Sequence, residues 1–189
     1  MSELARDDYR YTYNDYCEID DSNRYEVIDG ELYMMSSPSS RHQLVVGEMY
    51  VQLYEKLQGK SCTPYVSPMD VRLFYEEDGL DDTVVQPDVF VVCDKDKNGK
   101  NSINGAPDFV IEVLSPSNSI FEIILKQEAY ERSGVKEYWM IDSDKKELMM
   151  FELVDSVFYG ERKKLAGVEK VKCLGINVDL DRVISVIST

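Results

Sequence analysis

Three residues near the middle of this 189-residue chain have types and spacing that could share one piece of chemistry: Asp88, Glu112 and Lys126. Asp88 follows Gln86-Pro87 and opens the apolar run Val89-Phe90-Val91-Val92. Proline favours the first residue or the edge of a strand, so this carboxylate stands at a strand entrance, as a turn-former or as a functional group. Glu112 lies inside Phe109-Val110-Ile111-Glu112-Val113-Leu114, a run apolar enough to be buried on both faces. A buried carboxylate is costly unless it is paired. A salt bridge to Arg72 or Lys126 would satisfy it, and so would a metal ion. Strand alternation sets Asp108, Val110, Glu112 and Leu114 on one face. Lys126 falls on the following helical segment, on the face of Ile123 and Tyr130, where it either looks inward or snorkels to solvent. As a set, two carboxylates on adjacent strand ends suit Mg2+ or Mn2+, with the carbonyl of Val113 as a further ligand. A lysine beside them can orient an attacking water and stabilise charge on a phosphate. Those are the parts that hydrolysis of a phosphodiester needs.

The elements that must position this set can be traced along the chain. Residues 1–23 are polar and without clear period, and read as a lead-in or an arm; residues 24–189 read as one domain. Tyr25–Met35 reads as two short strands around Asp29-Gly30, a type I′ hairpin signal. A helix is expected from Ser39 or Ser40 to Gly59, with Val46, Tyr50, Leu53, Tyr54 and Leu57 on its buried face. His42 and Gln43 point toward that face, and Glu48 points away into solvent. Strands are expected around Val66–Tyr75, Val84–Val92 and Asp108–Leu114. The segment Ser115–Ser119 has helix-start composition, and a helix over Ile120–Ser133 is closed by Gly134. VKEYWMID and KELMMFEL are two further strands, and the remainder reads as short strands or irregular structure. The order hairpin, helix, strands, helix, strands predicts an α/β fold with a central mixed sheet flanked by helices.

Composition excludes several other classes. The single histidine, His42, rules out two-histidine zinc motifs. A serine triad would have to use His42, and no G-x-S-x-G elbow accompanies it. Cys17, Cys62, Cys93 and Cys173 are scattered, and reduced packing thiols are expected. There is no apolar run that spans a bilayer and no secretory signal pattern, so a cytoplasmic location and no membrane partner are expected. The net charge of −15 is unusual for a chain that meets phosphates, but residues 1–31 alone hold ten acidic and three basic residues. The stretch Glu161–Lys172 is locally basic.

Residues from about Tyr25 to Leu153 resemble the Uma-two family of restriction endonuclease-like proteins, within the PD-(D/E)XK nuclease superfamily. The matching stretches are YEVIDGELYMMSSPSSRHQ, VVQPDVFVV, GAPDFVIEVLSPS and KQEAYERSGVKEYWMID. The resemblance implies a restriction endonuclease-like fold and a Mg2+-dependent endonuclease acting on DNA, commonly as a homodimer. It carries Asp88 to the metal aspartate and Glu112 to the acidic residue of the (D/E)XK element. Leucine, Leu114, stands where that element has its lysine, and Lys126 matches a lysine supplied from the next helix. Glu122, four residues earlier, is either part of the family's pattern or an i, i+4 partner of Lys126. His42 and Gln43 match a helix that borders the site, although a core histidine is the simpler reading; Glu26 and Glu31 on the hairpin have no assigned role. Tyr130, Tyr138 and Trp139 read as core. The alternative is a module of the same fold that binds nucleic acid or protein with weak or no catalysis. The net charge and the displaced lysine favour that alternative.

Overall fold

The structure is a computed structural model that describes residues 9–115 and 119–188. Residues 116–118 of the expected helix-start segment, and residues 1–8 of the lead-in, lie outside them. The first elements are a short helix α1 (Tyr13–Cys17), the hairpin β1 (Tyr25–Ile28) and β2 (Glu31–Met34), and helix α2 (Ser40–Leu57). Asp29 and Gly30 both have positive φ, 49° and 74°, as a type I′ turn requires. The Ser39 side chain accepts from the His42 amide and caps α2.

Of the two long strands expected next, Val84–Val92 is broken in two, and Val66–Tyr75 is reduced to a short strand with a separate strand before it. Thr63–Val66 (β3) and Asp70–Arg72 (β4) are separated at Ser67-Pro68; Val84–Val85 (β5) and Val89–Val92 (β6) are separated at Pro87-Asp88. Each break carries the chain from one sheet to another. With β7 (Ser102–Asn104), the strands β4 and β5 join the hairpin in a five-stranded sheet of order β2-β1-β5-β4-β7. The larger sheet adds β8 (Phe109–Leu114), β9 (Glu137–Asp142), β10 (Glu147–Val154) and β11 (Val157–Lys164) in the order β11-β10-β9-β8-β6-β3. It is mixed, because β8 and β9 run parallel while its other neighbours are antiparallel. A parallel pair needs a crossover. Helix α3 (Ile120–Ser133) supplies it, ending at Gly134 with φ 89°.

Both faces of the centre of the larger sheet, at β6, β8 and β9, are covered, as the apolar β8 requires. One face, with Val89, Val91, Phe109, Ile111, Val113 and Trp139, packs against α2 and the C-terminal elements. The other, with Phe90, Val92, Val110 and Tyr138, packs against α3 and the smaller sheet. The C-terminal remainder, expected as irregular structure or strands, contains the hairpin β12 (Val168–Val171) and β13 (Ile176–Asp179), and then a helix, α4 (Leu180–Ile187). Helix α4 changes the reading of α2. Glu48, expected in solvent, is 13% exposed and pairs with Arg182 of α4 at 2.7 Å. Tyr54, expected on the buried face, is exposed, and Met49 and Gln52 are buried instead.

One further expectation needs correction. Cys62 and Cys93 form a disulfide at neighbouring ends of β3 and β6, so only Cys17 and Cys173 are free. Residues 9–23 bond onto the body of the chain: the Tyr11 amide donates to the Gly30 carbonyl and the Tyr13 amide to that of Asp81, both at 2.8 Å. Among the described residues no helix is long and apolar enough to cross a membrane.

Candidate functional site

The antiparallel ladder of β6 and β8 pairs Val89 with Ile111. One register step further, the first residue before β6 lies across from the fourth residue of β8. This step brings Asp88 and Glu112 together on the face that α3 covers, because directly opposed residues share a face. The ladder bond that would be next is replaced by a side chain: the Val113 amide donates to Asp88 Oδ2 at 2.8 Å. The same oxygen meets His42 Nε2 at 3.1 Å, reached from the first turn of α2. The Asp88 carbonyl accepts from the Ser67 amide at 3.1 Å, which ties the two sheet breaks to each other.

Lys126 looks inward from α3. Its Nζ lies 2.6 Å from Glu112 Oε1 and 2.9 Å from Glu26 Oε1. The Tyr130 hydroxyl, one helical turn on, donates to Glu112 Oε1 at 2.6 Å. Glu26 Oε1 also accepts from the Gln86 amide at 2.7 Å. The ammonium therefore stands between a carboxylate of the larger sheet and one of the smaller sheet. Arg72, the other candidate partner for Glu112, is elsewhere: it is buried against Asp81.

The electrostatics follow from this crowding. Burial pushes the Glu112 carboxyl up to about 7; Lys126 pulls it back, and Asp88 and Glu26 push it further. Burial alone would lower Lys126, but the charges of Glu112 and Glu26 outweigh it and hold the ammonium above its ordinary value. Burial also opposes a charged His42, and the Asp88 carboxylate overcomes this, so its pKa is raised. Burial and the Glu112 charge raise the Tyr130 phenol well above its usual range, so it remains a donor.

A pocket opens over these groups, with Glu26, Asp88, Glu112 and Lys126 in its wall and His42 and Gln43 on the side of α2. Asp88 and Glu112 are 16% and 13% exposed, so they are sunk but reachable. Among the described residues no three acidic, histidine or cysteine side chains form a closed metal cage. The donor set that is present, one carboxylate at the entry of β6 and one within β8, is of the kind that suits Mg2+, which binds through one or two carboxylates and keeps several waters.

A family model described as "Putative restriction endonuclease", Uma2, matches residues 10–181. The chain belongs to the Uma2 (Uma-two) family. A protein of Synechocystis sp., slr1290, is 27% identical over 111 residues, which make up 59% of this chain. That match spans about half of the relative's length, 51%. Among solved structures, the chain is similar to one from Anabaena variabilis titled as a "putative nuclease belonging to DUF820". The TM-score is 0.75 at 15% identity, over 94% of this chain and 99% of that one. The similarity establishes the restriction endonuclease-like architecture that the resemblance implied, and the mixed sheet flanked by helices that the element order predicted.

Within this Uma2 chain the structure gathers Asp88, Glu112, Val113 and Lys126 at one pocket. Lys126 bridges Glu112 and Glu26. Glu122 also lines the pocket, but its carboxylate accepts from the Ser119 amide in a capping box, and Lys126 has Glu112 and Glu26 as partners in place of Glu122. Glu31 is exposed and accepts from Tyr33 Oη at 2.9 Å; Tyr33 lines the pocket, and Glu31 does not. Tyr138 and Trp139 are core, as read. Sequence reasoning undervalued Glu26 and His42. The signal for Glu26 was the one that singled out Glu112: a carboxylate inside an apolar strand, here Tyr25-Glu26-Val27-Ile28, all of it buried. His42 was marked by its place on the inward face of α2, but its partner Asp88, 46 residues away, was not.

Proposed function

We propose that this pocket hydrolyses phosphodiester bonds of DNA with Mg2+ or Mn2+, and that Asp88, Glu112 and the Val113 carbonyl hold the ion. The observation that carries the reading is the convergence of Asp88, Glu112 and Lys126, from the entry of β6, from β8 and from α3, on one recessed pocket. The membership of the chain in a family described as restriction endonucleases supports it. A bound Mg2+ would supply Lewis-acid activation of water and neutralise charge on the phosphate. The remaining roles belong to the chain. His42 Nε2 and the Val113 amide fix Asp88 Oδ2, which leaves the rest of that carboxylate to face the pocket. Tyr130 and Lys126 fix Glu112 Oε1. The Lys126 ammonium, kept charged by two carboxylates, is the donor available to a phosphoryl oxygen as negative charge develops there. Pairing of two subunits to cut both strands belongs to the same proposal, and a monomeric mass in light scattering would count against it.

The test is incubation of the purified protein with plasmid and with short duplexes, with Mg2+ or Mn2+ present. Cleavage is expected, and Glu112→Ala and Asp88→Ala should abolish it. Full cleavage by Glu112→Ala would sink the assignment. The alternative, a binding module without turnover, is favoured by the salt-bridged state of Lys126. Absence of divalent-ion binding in calorimetry at millimolar concentration would select it.

A further inference from the structure

Arg24 has surroundings unlike those of the other arginines. Arg10, Arg41, Arg72, Arg132, Arg162 and Arg182 each form an ion pair with an Asp or Glu side chain. Among the described residues Arg24 is the arginine without one, in a chain with 36 acidic residues. Its guanidinium donates to neutral oxygens: Nε to Gln86 Oε1 at 3.2 Å, and Nη2 to the same oxygen and to Ser67 Oγ at 2.9 Å. The orientation of Gln86 is set from behind, because its amide nitrogen donates to Asp70 Oδ1 at 2.8 Å and to the Tyr16 hydroxyl at 3.0 Å. The amide thus spends its donors on the acidic side and offers its oxygen to Arg24. Asp70 helps to hold the guanidinium without neutralising it.

Arg24, Ser67 and Gln86 all line the pocket that contains Asp88 and Lys126. Lys126 is the other lysine or arginine side chain in that wall, and it is already paired with two carboxylates. Arg24, the residue just before β1, precedes Glu26 by two positions, so it stands about 7 Å further along the chain than the residue Lys126 binds. A half-buried, pre-oriented guanidinium without an ion-pair partner is suited to binding a phosphate. We infer that Arg24 is an anchor for a phosphate of the substrate strand adjacent to the one attacked, and so lets a strongly acidic protein hold a polyanion. This inference rests on the proposed nucleic-acid reading and deepens it by assigning the second phosphate contact.

The test measures binding of a short fluorescent oligothymidylate in EDTA, where cleavage is blocked, across a range of salt. The proteins are wild type, Arg24→Gln and Arg24→Lys, each checked by thermal melting. Arg24→Gln should weaken binding about tenfold, the size of a lost charge-assisted contact. It should also reduce the slope of log K against log salt by about 0.7, one single-strand phosphate contact. Arg24→Lys should keep the slope and recover part of the affinity, which a purely structural role would not produce. Unchanged affinity and slope in Arg24→Gln, or no binding by wild type, overturns the inference. Cleavage assays separate the two readings. Cleavage that Arg24→Gln matches in KM removes the anchor and leaves the nuclease standing. Arg24-dependent binding without any cleavage keeps the anchor and removes the nuclease.

Discussion

Lys126→Met tests the electrostatic centre of the pocket most directly. Methionine keeps the length and the apolar stem and removes the charge. Glu112 and Glu26 then face each other without the ammonium that now lies within 2.9 Å of both. Removal of one partner of a buried ion pair costs about 3–5 kcal/mol. For a domain of this size that is a fall in Tm of about 6–20 °C. The cost should depend on pH, with a sign that can be worked out. Burial already raises Glu112 from its ordinary value to about 7 with Lys126 present, and loss of Lys126 removes the pull that opposes this rise. A carboxyl whose folded pKa exceeds its unfolded value contributes stability that is fully present below the unfolded pKa. That contribution is lost as pH rises through the folded pKa. The variant should therefore trail wild type by a constant margin between about pH 5 and pH 7, where Glu112 holds a proton in both proteins, and fall further behind between about pH 7 and pH 9. Thermal melts of both proteins across that range are the assay. A deficit of equal size at both ends would refute the argument, because it would make the loss one of packing and not of charge.

Two further outcomes follow from the same geometry. Arg72→Met strands Asp81, which is 3% exposed, and should cost about 3–5 kcal/mol in denaturant unfolding, partly recovered by adding Asp81→Asn, with cleavage per folded molecule unchanged. Tyr130→Phe removes the hydroxyl that donates to Glu112 Oε1 and should cost about 1.5–3 kcal/mol by the same measurement, and an unchanged midpoint would show that this bond adds nothing net.

Local rules made much of this arrangement legible in the sequence. Asp29-Gly30 specifies its turn through backbone conformation, Ser39 and Gly134 bound their helices through caps, and the apolar run around Glu112 announces a strand covered on both faces. Each of those signals is carried by neighbours in sequence. The breaks at Ser67-Pro68 and Pro87-Asp88 were not legible as changes of sheet, because which strand pairs with which is a non-local matter. The same applies to Glu48. On α2 alone it points away from the core, and only the arrival of α4, more than a hundred residues later, covers it. Helix α4 did carry a signal, Asp179 as N-cap with Leu180, Val183 and Ile187 at helical spacing, but over only eight residues. At the site, Asp88 and Glu112 were readable as misfits in apolar strands. The partners of Lys126 were not, since Glu26 comes from a different sheet, 100 residues away.

That last pairing has a consequence for how the chain tolerates change. Lys126 ties β1 of the smaller sheet to β8 of the larger one, and Asp88 stands where the chain passes between them. The pocket thus lies on a seam, and its acidic lining is assembled from both sides. Side chains alternate along β1, so a slip of the hairpin by one residue would turn Glu26 away and present Tyr25 or Val27 to the ammonium. Insertions that leave each sheet intact but shift one along the other would preserve the core and dismantle the site. The length of the hairpin and the two crossings is therefore under the same constraint as the charged residues themselves.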